Sequence, residues 1–242
     1  MSSHPSSGVG LIVVAGGRSS RWAGVDKTAQ LLLGRPVLRH VVTAGVAGIQ
    51  AGIQAAIRST IQAEIEAPDD AAPPPVVIVA PAAHPARGQI DREHPQVRWT
   101  VEQPAGGGPV AALAAGLATL AEPWAGLLPD RLPDLVVVLA GDMPGVRTAV
   151  TRLVAAARAE PDGAGMAGVV GVDPDGVRQP LLAIYRRTPL AEALAGLPVA
   201  HASMRSLLAG LRLGTLPVTA REALDLDTPQ ALAVARQDLL DS

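Results

Sequence analysis

Short apolar runs alternate with longer, helically spaced stretches along this chain. Leu11–Val14, Val76–Val79, Val97–Val101, Leu135–Leu139 and Met166–Val172 are rich in valine, isoleucine and leucine, the pattern of strands buried on both faces of a sheet. The alanine- and leucine-rich stretches between them predict helices over Pro36–Ala47, Gln54–Ala67, Pro109–Leu120, Val146–Ala159, Pro189–Ala195, Ser203–Leu211 and Thr228–Leu240. Several open on Pro, Ser or Thr, as helix starts do, and Gly210 and Gly214 read as stops. The alternation predicts an α/β fold. Ala67–Pro75 and Ala121–Pro133 read as loose connections, and no repeat of solenoid length is present.

At 242 residues, 48% hydrophobic and 17% charged, the chain has enough apolar surface for one large domain, expected over residues 10–242. Residues 1–9 read as a disordered tail. That opening lacks the basic and apolar regions of a secretion signal, and no apolar run reaches the length that spans a bilayer. With no cysteine, thiolate metal sites and disulfides are excluded, and the cytoplasm is the expected compartment. A net charge of −2 and only 2% aromatic residues, none of them Phe, argue against nucleic acid as a partner. A soluble monomer is expected.

The most informative stretch runs from Val13 to Lys27: Val-Val-Ala-Gly-Gly-Arg-Ser-Ser-Arg-Trp-Ala-Gly-Val-Asp-Lys. An apolar strand passes into a glycine-rich loop that carries Arg18 and Arg21 and ends on Lys27. Glycines let peptide N–H groups approach a ligand closely, and the cations gather beside them, the chemistry of a triphosphate site. The order is neither that of a P-loop nor that of a dinucleotide fold. A plain turn between strand and helix is the competing reading.

Two more features carry chemistry. Val136–Leu139 leads through Ala140-Gly141 to Asp142, a carboxylate at the carboxyl end of an apolar strand, where open α/β sheets collect ligands. It reads either as a helix N-cap or as a catalytic group. A bound triphosphate needs its charge neutralised, which Mg²⁺ on one or two carboxylates supplies. Asp225-Leu226-Asp227-Thr228-Pro229 places two carboxylates on one face of an extended segment before a helix start. Gly106-Gly107-Gly108 before Pro109 permits close backbone approach to a base or ribose, or else is a flexible loop. Of the histidines, His4, His84 and His94 stand in polar or proline-rich context and His40 on a helix, so no histidine metal cluster is expected.

The first stretch resembles the nucleotidyltransferase signature A-G-G-x-S-x-R-M-G-x-D-K, and with it the MobA-type molybdenum cofactor guanylyltransferases; Trp22 and Ala23 depart from it. The resemblance runs from Val13 to Leu232. Asp225–Pro229 is similar to the family's N/D-x-N/D-T-P-E element beside the metal, and Gly108-Pro109-Val110-Ala111-Ala112 to its G-P-L-A-G segment. Arg178–Tyr185 is similar to its Q-P-L-x-A-L-Y strand and Ser203–Leu208 to its S-x-R-x-L-L helix start. The resemblance implies a single doubly wound, Rossmann-like domain with a mostly parallel sheet, its nucleotide half over about 10–145 and its acceptor half over about 146–242. Ala15, Gly16, Gly17, Arg18, Ser19, Lys27, Glu102, Gly107, Gly108, Pro109 and Asp142 would bind the nucleotide. Arg21, Lys27 and Asp142 would act in transfer, and Asp142 and Asp227 would hold Mg²⁺. Arg178, Gln179, Pro180 and Arg205 would meet the acceptor. The implied reaction joins GMP from GTP to the terminal phosphate of molybdopterin, with a molybdenum insertase as a further partner. Cytidylyl transfer, guanylyl transfer to a small phosphorylated acid, and a silent nucleotide-binding regulator stay open as alternatives.

Overall fold

The computed structural model describes residues 8–16, 26–60, 73–124, 132–160 and 165–240. Residues 1–7 of the expected tail and most of both expected connections lie outside them, whereas Val9, expected in the tail, is buried and opens the first strand. The first strand, β1 (Val9–Val14), is followed by a 3-10 turn at Lys27–Ala29 and a small hairpin of β2 (Leu31–Leu32) and β3 (Arg35–Pro36). Next come α1 (Val37–Thr60), β4 (Val76–Val79), α2 (Arg87–Glu93), β5 (Val97–Thr100), α3 (Pro109–Leu120) and β6 (Leu135–Ala140). The second half holds α4 (Arg147–Ala159), β7 (Gly168–Val172), β8 (Arg178–Arg186), α5 (Arg187–Ala195), α6 (Met204–Ala209), β9 (Leu213–Pro217) and α7 (Pro229–Leu240).

Seven strands form one sheet in the order β5-β4-β1-β6-β8-β7-β9. Its pairings are parallel except where β8 runs against β6 and β7. Because successive side chains of a strand point to opposite faces, β1 feeds two cores at once. Leu11 and Val13 pack with Val41, Ile49, Val150 and Leu153 of α1 and α4. Ile12 and Val14 pack with Leu113 and Leu117 of α3 and Leu190 of α5. A third, smaller cluster joins Leu32 and Val37 to Leu226 and Ala235, and so ties the hairpin after Lys27 to the chain around Asp227.

The chain leaves β1 for β4 and β5 on one side and returns to place β6 on the other, which makes the β1–β6 boundary a topological switch point, where such sheets bind ligands. The strands parallel to β1 and β6 all end at this edge, β9 among them. The antiparallel β8 begins there.

The predicted helices over Pro36–Ala47 and Gln54–Ala67 are one continuous helix, α1, through Thr60. The glycines between the two predicted stretches make a close contact. A Cβ on Gly48 would lie 2.7 Å from the Arg147 carbonyl oxygen, and one on Gly52 2.7 Å from that of Thr151, so α1 and α4 pack nearly backbone to backbone. Read as one helix, Val37–Ser59 does reach the length and apolarity of a membrane span, contrary to the expectation from the shorter runs; here its apolar side covers the sheet beside α4. Gly48→Ala gains helix propensity of about 1 kcal/mol but overpacks the contact, which costs roughly 1–3 kcal/mol. The variant should unfold at lower urea than the parent, and a raised midpoint would refute the close packing. Gly210 does end α6, whereas Gly214 is not a stop but lies inside β9.

Candidate active site

A cleft of about 610 Å³ opens at the switch point and is lined by chain ends from both halves. Beyond β1, Ala15 and Gly16 form its back wall. Gly17, Arg18, Ser19 and Arg21 lie outside the described residues. The chain resumes at Asp26, whose extended backbone (φ −66°, ψ 114°) caps the 3-10 turn. Its Oδ1 accepts hydrogen bonds from the Thr28 N–H at 2.9 Å and the Thr28 hydroxyl at 2.7 Å. Burial works to raise the Asp26 carboxyl, but hydrogen bonds from His84 and Thr28 together hold it below the usual range.

The turn aims Lys27 at two carboxylates. Its ammonium is paired with Asp142 Oδ2 and lies 2.5 Å from Asp227 Oδ1. Burial pulls the Lys27 pKa down, and the hydrogen bonds to Asp142 and Asp227 more than reverse this, so it stays above its ordinary value. Asp142 is buried at the end of β6. It is no helix cap, since α4 starts after Val146 without a side-chain cap. Nor does Asp227 cap α7: the Thr228 hydroxyl accepts the Ala231 N–H at 3.1 Å and takes that role. Asp225 and Asp227 both line the cleft while Leu226 between them is fully buried, the alternation the D-x-D spacing predicts. Burial, reinforced by the charges of Asp142 and Asp227, pushes Asp225 up to about 6, with Lys27 opposing.

The acidic segment is anchored from below. Leu226 N–H donates to the Asp142 carbonyl at 3.1 Å. Glu222 Oε2 accepts from Arg152 at 2.7 Å and from the Thr219 N–H at 2.8 Å, and Arg152 also donates to the Pro217 carbonyl at 2.8 Å. These bonds clamp the chain after β9 onto α4 and fix where Asp225 and Asp227 arrive.

On the other wall Glu102 Oε1 accepts the Gly106 N–H at 2.9 Å, so the glycine loop is braced. Gly106 (φ +73°) and Gly108 (φ +92°) occupy the left-handed region, which explains why neither carries a side chain. Gly108 and Pro109 open α3, and with Ala112 they bring the positive end of a twelve-residue helix to the cleft. Gly107 is buried and its carbonyl accepts the His201 N–H at 2.7 Å; Gly106, not Gly107, lines the cleft.

Gln179, Pro180 and Leu181 enter from the start of β8 and Met204 from α6. The Gln179 amide donates to Asp173 Oδ2 at 2.8 Å, and Asp173 Oδ1 also accepts the N–H groups of Asp175 and Val177. Arg178 and Arg205 are exposed and lie outside the lining. Of the four expected acceptor residues, Gln179 and Pro180 line the cleft, whereas Arg205 yields its place to the neighbouring Met204. Thr28, Met143 and Met204 carry no sequence signal for this site. Asp26 stood inside the first motif, but its spacing alone did not reveal its role as a brace.

Among the described residues no group of three or more His, Asp or Glu side chains is arranged as a metal site. The pair Asp142 and Asp227 nevertheless fits Mg²⁺. Both present hard oxygens to a single cation, here the Lys27 ammonium, and Mg²⁺ commonly takes one or two carboxylates and completes its shell with waters and substrate phosphates.

A mixed sheet with a switch-point cleft holding a lysine, two carboxylates and a helix N-terminus is the architecture of a nucleotide-handling α/β protein. The profile of the MobA-like NTP transferase domain matches residues 11–216, and the chain belongs to that family of nucleotidyltransferases. Asp225 and Asp227 lie just past the matched span. Among solved structures, molybdopterin-guanine dinucleotide biosynthesis protein A from Archaeoglobus fulgidus is 18% identical, with 96% of this chain and 99% of that chain covered and a TM-score of 0.59. The 4-diphosphocytidyl-2C-methyl-D-erythritol synthase from Anaerococcus prevotii is 11% identical, with 96% of each chain covered and a TM-score of 0.60. Rv0371c from Mycobacterium tuberculosis is 20% identical, with 98% and 100% covered and a TM-score of 0.59. At these identities the likeness is one of fold. No curated protein matches the chain by sequence.

Proposed function

We propose that this protein transfers GMP from GTP to the terminal phosphate of molybdopterin and releases pyrophosphate. The observation that carries the reading is the convergence of Lys27, Asp142 and Asp227 at the switch point, opposite the Gly106–Pro109 loop. The base rests on the resemblance of Ala15-Gly16-Gly17 to the guanylyltransferases of the family and the acceptor on that of Gln179-Pro180-Leu181 to the family's acceptor-half strand, with the fold of the Archaeoglobus protein alongside.

In this reaction an oxygen of the acceptor phosphate attacks the α-phosphorus of GTP in line, a new P–O bond forms, and the bond to the β-phosphate breaks. No protein nucleophile is required, so catalysis is positioning and charge neutralisation. Lys27 and the backbone at Gly16 hold the triphosphate, and Arg21 meets the leaving pyrophosphate. Glu102 keeps the Gly106–Gly108 loop open to the base. Gln179, fixed by Asp173, and Met204 bound the side from which the acceptor approaches. Asp142 and Asp227 would hold Mg²⁺, which when bound neutralises charge developing on the phosphates.

A cytidylyl reading is favoured by one observation, the equal fold likeness to the cytidyl-handling synthase. Pyrophosphate release measured in parallel with GTP and CTP, Mg²⁺ and molybdopterin as acceptor decides. Release with GTP alone is expected; release with CTP alone overturns the base assignment, and release with neither overturns the acceptor.

A further inference from the structure

Behind the cleft, the loop after β4 buries one imidazole completely. The side chain of His84 has no exposed surface, although its Ala-Ala-His-Pro context reads as an outer loop. The backbone N–H of Ala86 donates to its Nδ1 at 3.2 Å, so Nδ1 is the acceptor nitrogen and Nε2 carries the proton. That Nε2 lies 2.9 Å from Thr28 Oγ1 and 3.2 Å from Asp26 Oδ2. The Thr28 hydroxyl spends its own proton on Asp26 Oδ1, so its oxygen is left to accept from His84. The imidazole is backed by the indole of Trp99, with 6.0 Å between ring centres and 29° between the planes, and Arg87 lies 5.3 Å from the centre of that indole.

Every donor and acceptor in this cluster is therefore matched, and the cluster grips the two residues on either side of Lys27. A buried imidazole that only filled space would cost more than an apolar side chain, because its nitrogens must be desolvated. Its position beside Asp26 and Thr28 gives it a task. We propose that His84 is a positioning residue for Lys27: by holding Asp26 and Thr28 through Nε2–H, it fixes the turn that presents the ammonium to the triphosphate. The inference rests on reading the cleft as a nucleoside triphosphate site, and it adds to that site a residue 57 positions away in the chain from Lys27.

Calorimetric affinities for GTP and GMP, both with Mg²⁺, test it in the parent, His84→Leu, His84→Gln and Thr28→Val, with thermal unfolding recorded for each. GMP lacks the β- and γ-phosphates, so the ratio of the two affinities reads the triphosphate contacts, that of Lys27 among them. Leucine fills the space without a donor and should lower the GTP-to-GMP ratio about tenfold or more, the worth of one well-placed charged contact, with GMP affinity kept. Glutamine, whose amide can reach Asp26 and Thr28, should restore most of the ratio. Thr28→Val cuts the same network from its other end and should reproduce the leucine result even if His84→Leu does not fold. A ratio unchanged in Thr28→Val, or equal losses in the leucine and glutamine variants, overturns the positioning role. A parent protein that shows no preference for GTP over GMP overturns instead the nucleotide reading on which the inference rests.

Discussion

Asp142→Asn should lower nucleotidyl transfer by roughly a thousandfold while the protein keeps its fold, in line with the loss of one preorganised electrostatic group in a closed site. Asparagine has nearly the same shape, and the backbone carbonyl that accepts from Leu226 is untouched, so the β6 end and the acidic segment should stay together. What goes is the charge that pairs with Lys27 and would hold Mg²⁺. Pyrophosphate release at saturating GTP and acceptor, together with a melting curve, checks both halves. Near-parent turnover in a folded variant would remove Asp142 from the chemistry, and lost turnover together with a collapsed melting point would mark it as structural.

Lys27→Met should have two effects of opposite sign. GTP affinity should fall by about ten- to a hundredfold, the range of one strong charge-assisted contact to phosphate. Affinity for Mn²⁺ without nucleotide should rise, since the ammonium that now sits on Asp142 and Asp227 competes for the same oxygens. Titration followed by the Mn²⁺ electron resonance signal reads the second effect independently of turnover. A variant that binds both GTP and Mn²⁺ as the parent does would contradict the placement of Lys27 at the centre of the site.

What the chain reveals on its own, and what it hides, follows from where each signal is stored. The strands β1, β4 and β6 are readable because a strand buried on both faces must be apolar at every position. Asp142 is readable as a chemical group, yet that it is no helix cap shows only in the start of α4 at Arg147, which lacks a side-chain cap. The D-x-D alternation predicted its own geometry, with Leu226 turned inward. The split of α1 failed because Gly48 and Gly52 answer to a neighbouring helix, and a contact with Arg147 and Thr151 leaves no trace in local propensity. β9 was missed because Leu-Gly-Thr-Leu-Pro looks like a turn, and only an edge position tolerates it. His84 shows the same limit most clearly: its role depends on residues more than fifty positions away. The charge of Arg178 and Arg205 does not bring them to the cleft, which takes the expected Gln179 and Pro180 together with Met204.

A crystal structure of the protein with Mn²⁺ and a non-hydrolysable GTP analogue, the metal located by its anomalous signal, reads metal, phosphates and base at once. Mn²⁺ is expected between Asp142 and Asp227, the triphosphate on Lys27 and the guanine against Gly106–Pro109. A nucleotide seated instead in the separate cavity of about 620 Å³ between α5 and α6, beside Arg186 and Arg212, or a metal away from both aspartates, would contradict this placement.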